Sequence, residues 1–123
     1  MKKTATIILN RNLPCETDSL VEHLLYHDGD YTDIFVVEAG SDKNNLSKYC
    51  TWHVATPVVT KQGLRYARGM NFGLLQLWKE DCWEKYDSFF LLTNDTKFPK
   101  GQLTVSSLQN LKNNYPRVGI ISP

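Results

Sequence analysis

The chain has 123 residues, with 41% apolar and 22% charged side chains and a formal charge of +1. A domain of this size buries roughly two-thirds of its unfolded surface without a metal or disulfide staple, and the composition excludes a disordered tail, a collagen-like repeat and a coiled coil. A balance of 14 basic against 13 acidic groups lacks the positive footprint of a protein that binds nucleic acid by neutralising phosphates.

No apolar run reaches the length of about 18 residues that spans a membrane. Ile7, Ile8 and Leu9, behind Met1-Lys2-Lys3-Thr4, are too short a run for the apolar region of a signal peptide. Cys15, Cys50 and Cys82 lie far apart and form no C-x-x-C pair. They read as reduced thiols of a cytoplasmic protein rather than as a disulfide framework or a structural zinc site.

In chain order, residues 4–9 read as a buried strand, ended by the polar cluster Asn10-Arg11-Asn12-Leu13-Pro14. Ser19-Leu20-Val21-Glu22 has capping-box spacing. Leu20, Val21, Leu24 and Leu25 then mark one face of a short helix, broken at Asp28-Gly29-Asp30. Residues 33–37 form a second strand, closed by Glu38-Ala39-Gly40-Ser41-Asp42. Residues 43–50 are expected to be a short helix and 53–59 a short strand. From Gly63 or Gly69 to about Tyr86 the period is helical, with Met70, Leu74, Leu77 and Trp78 on one side. Residues 87–93 are a third strong strand. After Thr93-Asn94-Asp95-Thr96 and Pro99-Lys100-Gly101 comes a helix with Val105, Leu108 and Leu111 in phase, and residues 118–121 read as a final strand. Near-continuous apolar strands alternating with helices predict an α/β fold, a mostly parallel Rossmann-like sheet with helices on both faces.

In such a sheet ligands bind outside the carboxyl ends of the strands. Three strand ends carry polar clusters: Asn10-Arg11-Asn12, the segment from Glu38 through Gly40 to Asp42, and Asn94-Asp95-Thr96. Each is also what a turn or helix cap requires, so their convergence on one crevice carries more than any single cluster. Asp95 follows a rigid apolar strand, and a carboxylate so placed suits a divalent ion that bridges phosphate oxygens. Gly63, Gly69 and Gly73, with Arg65, Arg68 and Asn71 between them, precede or open the long helix as a phosphate-facing edge or a plain helix start. They match neither the dinucleotide fingerprint nor the P-loop.

His23 and His27 have the four-residue spacing of a zinc pair, but Leu24, Leu25 and Tyr26 lie between them, without the glutamate of H-E-x-x-H. They read as a solvated helix face. Trp78, Trp83, Tyr86, Phe89 and Phe90 read as core packing rather than as a stacking platform for bases.

Ile7-Ile8-Leu9-Asn10-Arg11-Asn12 is similar to a first strand ending in a T-Y-N-R-like turn. Phe35-Val36-Val37-Glu38-Ala39-Gly40-Ser41-Asp42 is similar to V-V-D-N-G-S-x-D, and Ala67-Arg68-Gly69-Met70-Asn71-Phe72-Gly73 to A-x-x-x-N-x-G. Phe90-Leu91-Leu92-Thr93-Asn94-Asp95-Thr96 and Val118-Gly119-Ile120-Ile121-Ser122-Pro123 are similar to the L-N-N-D-T and V-G-I-V-x-P pair. In this order and spacing, over nearly the whole chain, the segments resemble the donor-binding half of a family 2 glycosyltransferase of GT-A fold.

The resemblance implies inverting, metal-assisted transfer of a sugar from a nucleotide-diphosphate sugar to a glycan or lipid-linked acceptor. It further implies a cytoplasmic setting in bacterial polysaccharide biosynthesis, at the membrane in the full-length protein. Asn10, Arg11, Asn12 and Glu38 would then face the base and ribose, Arg68 and Asn71 the diphosphate or sugar, and Gly40, Asn94 and Asp95 the donor. Asp95, the last acid of a D-x-D-like motif, would hold manganese or magnesium. Glu38 stands where the family has Asp, and Thr93 replaces the first acid of D-x-D. Family catalytic domains run to about 200 residues or more, so residues 1–123 are expected to form a single donor-binding domain, with the acceptor site and catalytic base beyond it and negligible transfer alone. The alternatives are a non-catalytic nucleotide-binding or protein-interaction domain on the same fold and, last, a flavodoxin-like or receiver-like domain, whose acidic cluster Asn10-Arg11-Asn12 lacks.

Overall fold

The computed structural model describes residues 2–98 and 104–121. The expected turn at Pro99-Lys100-Gly101 and the closing Ser122-Pro123 lie outside the described residues. In chain order the elements are β1 (Lys3–Asn10), α1 (Pro14–Asp28), β2 (Thr32–Ala39), β3 (Cys50–Val54), α2 (Pro57–Gln62), α3 (Tyr66–Lys79), β4 (Tyr86–Thr93) and α4 (Val105–Asn114). The four strands form one all-parallel sheet in the order β3-β2-β1-β4.

β1 is central, and seven of its eight residues are buried. Period-two alternation sends its apolar side chains to both faces. Ala5, Ile7 and Leu9 pack with Val37 and with Met70 and Leu77 of α3. Ile8 packs on the other face with Val36, Leu92, Leu20, Val21 and Leu24 of α1 and Val105 of α4. Each such fully buried aliphatic side chain stabilises the fold by about 2 kcal/mol. The expected α/β sheet with helices on both faces is therefore what the chain forms.

Glycine sets the approach of α3. A Cβ on Gly73 would lie 3.0 Å from Ile7 Cγ2 and 3.2 Å from Val37 Cγ2, and one on Gly69 would lie 2.8 Å from both Leu9 methyls. The first turns of α3 therefore lie directly over the carboxyl half of β1.

Several boundaries differ from expectation. α1 begins at Pro14, so Ser19 sits inside the helix rather than capping it. Proline is pre-organised for a first helical turn and has no N–H to leave unpaired there. The expected strand over 53–59 is two elements: β3 ends at Val54, and Pro57 opens α2 behind the N-cap Thr56, whose Oγ1 accepts from the Val59 amide at 3.4 Å. The expected helix over 43–50 shrinks to a 3₁₀ turn, Lys43–Asn45, followed by the start of β3. Trp78 is 66% exposed, off the buried Met70–Leu77 stripe, because one residue advances about 100° around a helix. Trp83, by contrast, packs on Phe89 with ring centroids 4.3 Å apart, as a core aromatic does.

Residues 118–121 form no strand. The chain leaves α4 through a turn closed by the Val118 amide on the Tyr115 carbonyl at 3.0 Å. Val118, Gly119 and Ile121 then line a cleft beside residues 87–90 of β4, and Ile120 is 91% exposed. A short apolar run becomes a strand only where a neighbouring edge pairs with its backbone.

Candidate functional site

Strand register brings the predicted residues together. Asn10 pairs with Glu38 across β1 and β2, and Leu9 pairs with Thr93 across β1 and β4, so Asn10, Glu38 and Asn94 form a row along the carboxyl edge. The Asn10 side chain joins all three. Its Nδ2 donates to Glu38 Oε1 at 2.7 Å, and its Oδ1 accepts from Asn94 Nδ2 at 3.0 Å and from the Leu13 amide at 3.1 Å.

Glu38 is fully buried. Its Oε1 also accepts from Ser41 Oγ at 2.8 Å, and Oε2 accepts from the Ser47 amide at 2.8 Å. A buried carboxylate persists only when its lone pairs are met in this way. Glu38 thus knits the strand ends together from inside, and the surface it was expected to present belongs to its neighbours. Its negative charge, second to burial itself, also pushes the Cys50 thiol above its usual range.

The next layer is exposed. Asn12 holds a left-handed backbone, φ 59°, and its Oδ1 accepts from the Asp42 amide at 2.8 Å while its own amide donates to Ser41 Oγ at 3.0 Å. These bonds join the turns after β1 and β2. Arg11 reaches sideways to α2, donating to the carbonyls of Thr60, Lys61 and Gln62 at 3.1–3.4 Å. Gly40, at φ 87°, has Val59 packed over it: a Cβ there would collide with the Val59 carbonyl oxygen. That glycine serves the approach of α2.

Asp95 stands on the turn after β4, exposed, with Oδ1 accepting from Thr93 Oγ1 at 2.6 Å. It lines a cleft of about 610 Å³ with Asn94, Thr96, Lys97 and Phe98 on one side and Cys15, Glu16, Ser19 and His23 of α1 on the other. This cleft opens where strand order reverses: from β1 the chain proceeds to β2 and β3 on one side and returns to β4 on the other. Such a switch point is where open α/β sheets place ligands. The α1 residues were missed from sequence, though Cys15, Ser19 and His23 recur every four positions along one helical face.

Two predicted residues stand apart. Arg68 is exposed on the first turn of α3, next to Gly69, which packs on Leu9, and it lies outside the hydrogen-bonded row. Asn71 lines a separate groove with Leu74, Leu75, Trp78 and Trp83. The His23 ring does not lie on a solvated face: it stacks on Phe98 at 5.6 Å and meets His27 at 4.5 Å.

Among the described residues no three His, Cys, Asp or Glu side chains are grouped to hold a metal ion. A divalent ion at Asp95 would therefore take one protein carboxylate and draw its other ligands from phosphate oxygens and water, a set that suits magnesium. No helix among the described residues is long and apolar enough to cross a membrane. No family model, no curated protein and no solved structure matches the chain.

Proposed function

We propose that the carboxyl edge of this sheet binds the nucleotide-diphosphate sugar of a family 2-like, inverting glycosyltransferase reaction whose acceptor is a glycan or a lipid-linked sugar. The observation that supports this reading is the Asn10-centred row, which ties the ends of β1, β2 and β4 into one platform beside the switch-point cleft. Ligand groups meeting that platform bind donors and acceptors already fixed in place, which lowers the ordering cost of recognition.

In this reading Asn12 and Asp42 on the joined turns meet the nucleoside, and Arg68, exposed on the first turn of α3, attracts the diphosphate. The Thr93 hydroxyl steadies one oxygen of Asp95 and leaves Oδ2 for the ligand. Manganese or magnesium held at Asp95 would supply positive charge against the negative charge gained by the departing nucleoside diphosphate. Glu38 acts through Asn10 and Ser41, as a positioning residue.

The enclosure of Glu38 favours a second reading, a nucleotide-binding module without chemistry, since no carboxylate from β2 reaches the edge. Melting temperature is to be measured with a panel of nucleoside diphosphates, with and without manganese. The transferase reading expects a rise that manganese enlarges. A rise indifferent to manganese favours the module, and no rise with any nucleotide overturns both.

A further inference from the structure

α2 covers the strand ends. It has six residues and none is buried, and Val58 is 65% exposed. A helix of that length has no stability of its own in water. It meets the platform where Val59 lies over Gly40 and where the Arg11 guanidinium spans its last carbonyls. Nη1 donates to Gln62 O at 3.4 Å, and Nη2 donates to Thr60 O at 3.3 Å and Lys61 O at 3.1 Å. Gly63, at φ 75°, ends the helix so closely that a Cβ would lie 2.9 Å from Arg11 Nη1. Among the described residues Arg11 pairs with no carboxylate.

We infer that Arg11 is a latch, holding α2 down on the carboxyl edge until a diphosphate group takes the guanidinium and releases the helix. The anion rests on the proposed donor site; the latch itself rests on geometry alone. Three bonds to neutral carbonyls, two of them long, hold a full positive charge. A diphosphate offers the same fork a bidentate, charge-assisted pair, which is the stronger contact. Segments that move on binding come from the least stable parts of a fold, and α2, with no buried side chain, is such a part.

The test reads hydrogen exchange at the Thr60 and Gly63 amides, which bond to the carbonyls of Thr56 and Val59 at 2.8 and 2.6 Å and so report α2. Arg11→Gln is expected to speed exchange at both about tenfold while β1 amides keep their protection. Arg11→Lys, one point charge without the fork, falls between. Inorganic pyrophosphate, and separately the nucleoside diphosphates, should speed the same amides in the unmodified chain and add nothing in Arg11→Gln. Unchanged exchange in Arg11→Gln removes the latch whatever the ligand does. A ligand that raises the melting temperature without loosening α2 overturns the release and leaves the binding site standing. Failure of every diphosphate to bind overturns the release together with the donor site.

Discussion

At the scale of single residues, a fully buried carboxylate stands where hydrogen bonds meet its oxygens, as they do at Glu38. Glu38 ends an apolar strand, which reads as an acid presented to the crevice. Its neighbours decide otherwise, because Asn10, Ser41 and the Ser47 amide use its lone pairs. Tyr86 shows the same dependence on surroundings. Its hydroxyl donates to Asp33 Oδ2 at 2.8 Å, and burial first, then that hydrogen bond and the Asp33 charge, push its pKa up. The native state therefore keeps a proton that the unfolded chain releases above its ordinary tyrosine value of about 10. That contribution to stability is complete below pH about 10 and is lost as pH rises beyond it. Urea midpoints at pH 9 and pH 11 should drop further in the unmodified protein than in Tyr86→Phe. Equal drops would show that this hydroxyl does not carry the alkaline loss.

At the scale of elements, the helices are held by contacts that no local pattern announces. Asp28, the last residue of α1, is fully buried. Its carboxylate accepts from the amides of Thr104, Val105 and Ser106 at 3.0, 3.2 and 3.3 Å and from Ser106 Oγ at 3.2 Å. It thereby caps the first amides of α4 from a distant part of the chain, while the N-cap residue Thr104 makes no side-chain cap bond of its own. The free amides and helix dipole there favour negative charge. Gln109 adds a second tie, donating to Thr4 Oγ1 at 2.7 Å. Asp28→Ala should cost about 3 kcal/mol in urea unfolding, since it strands buried amides, and should speed amide exchange in α4 ahead of α1. A loss under about 1 kcal/mol would mean that water replaces the cap. From sequence, Asp28 reads as a helix breaker beside Gly29: its true partners lie 76 to 78 residues away.

At the scale of the whole molecule, strand order decides where chemistry is possible. Alternating elements make a parallel sheet legible from sequence, but not which strand lies at its centre. Placing β1 between β2 and β4 sets Asn10 between Glu38 and Asn94 and opens the cleft that Asp95 shares with α1. If Asp95 is the cation contact, Asp95→Ala should abolish the manganese-dependent part of the nucleotide-induced melting shift and leave the remainder. An unchanged manganese response would remove Asp95 from that role. The residue is exposed, so its replacement leaves the core untouched.

The amino-acid sequence by itself determined the α/β class, the apolar strands and the polar clusters at three strand ends, because periodicity and turn chemistry act over a few neighbouring residues. Which polar groups stay at the surface follows from long-range packing. In the folded chain Glu38 is buried, Gly40 and Arg11 face α2, Arg68 and Asn71 lie outside the row, and residues 118–121 form no strand. The enclosure of Glu38 depends on Asn10, Ser41 and Ser47 meeting it from other parts of the chain, because burial requires a polar group to find partners. No local pattern carries that information.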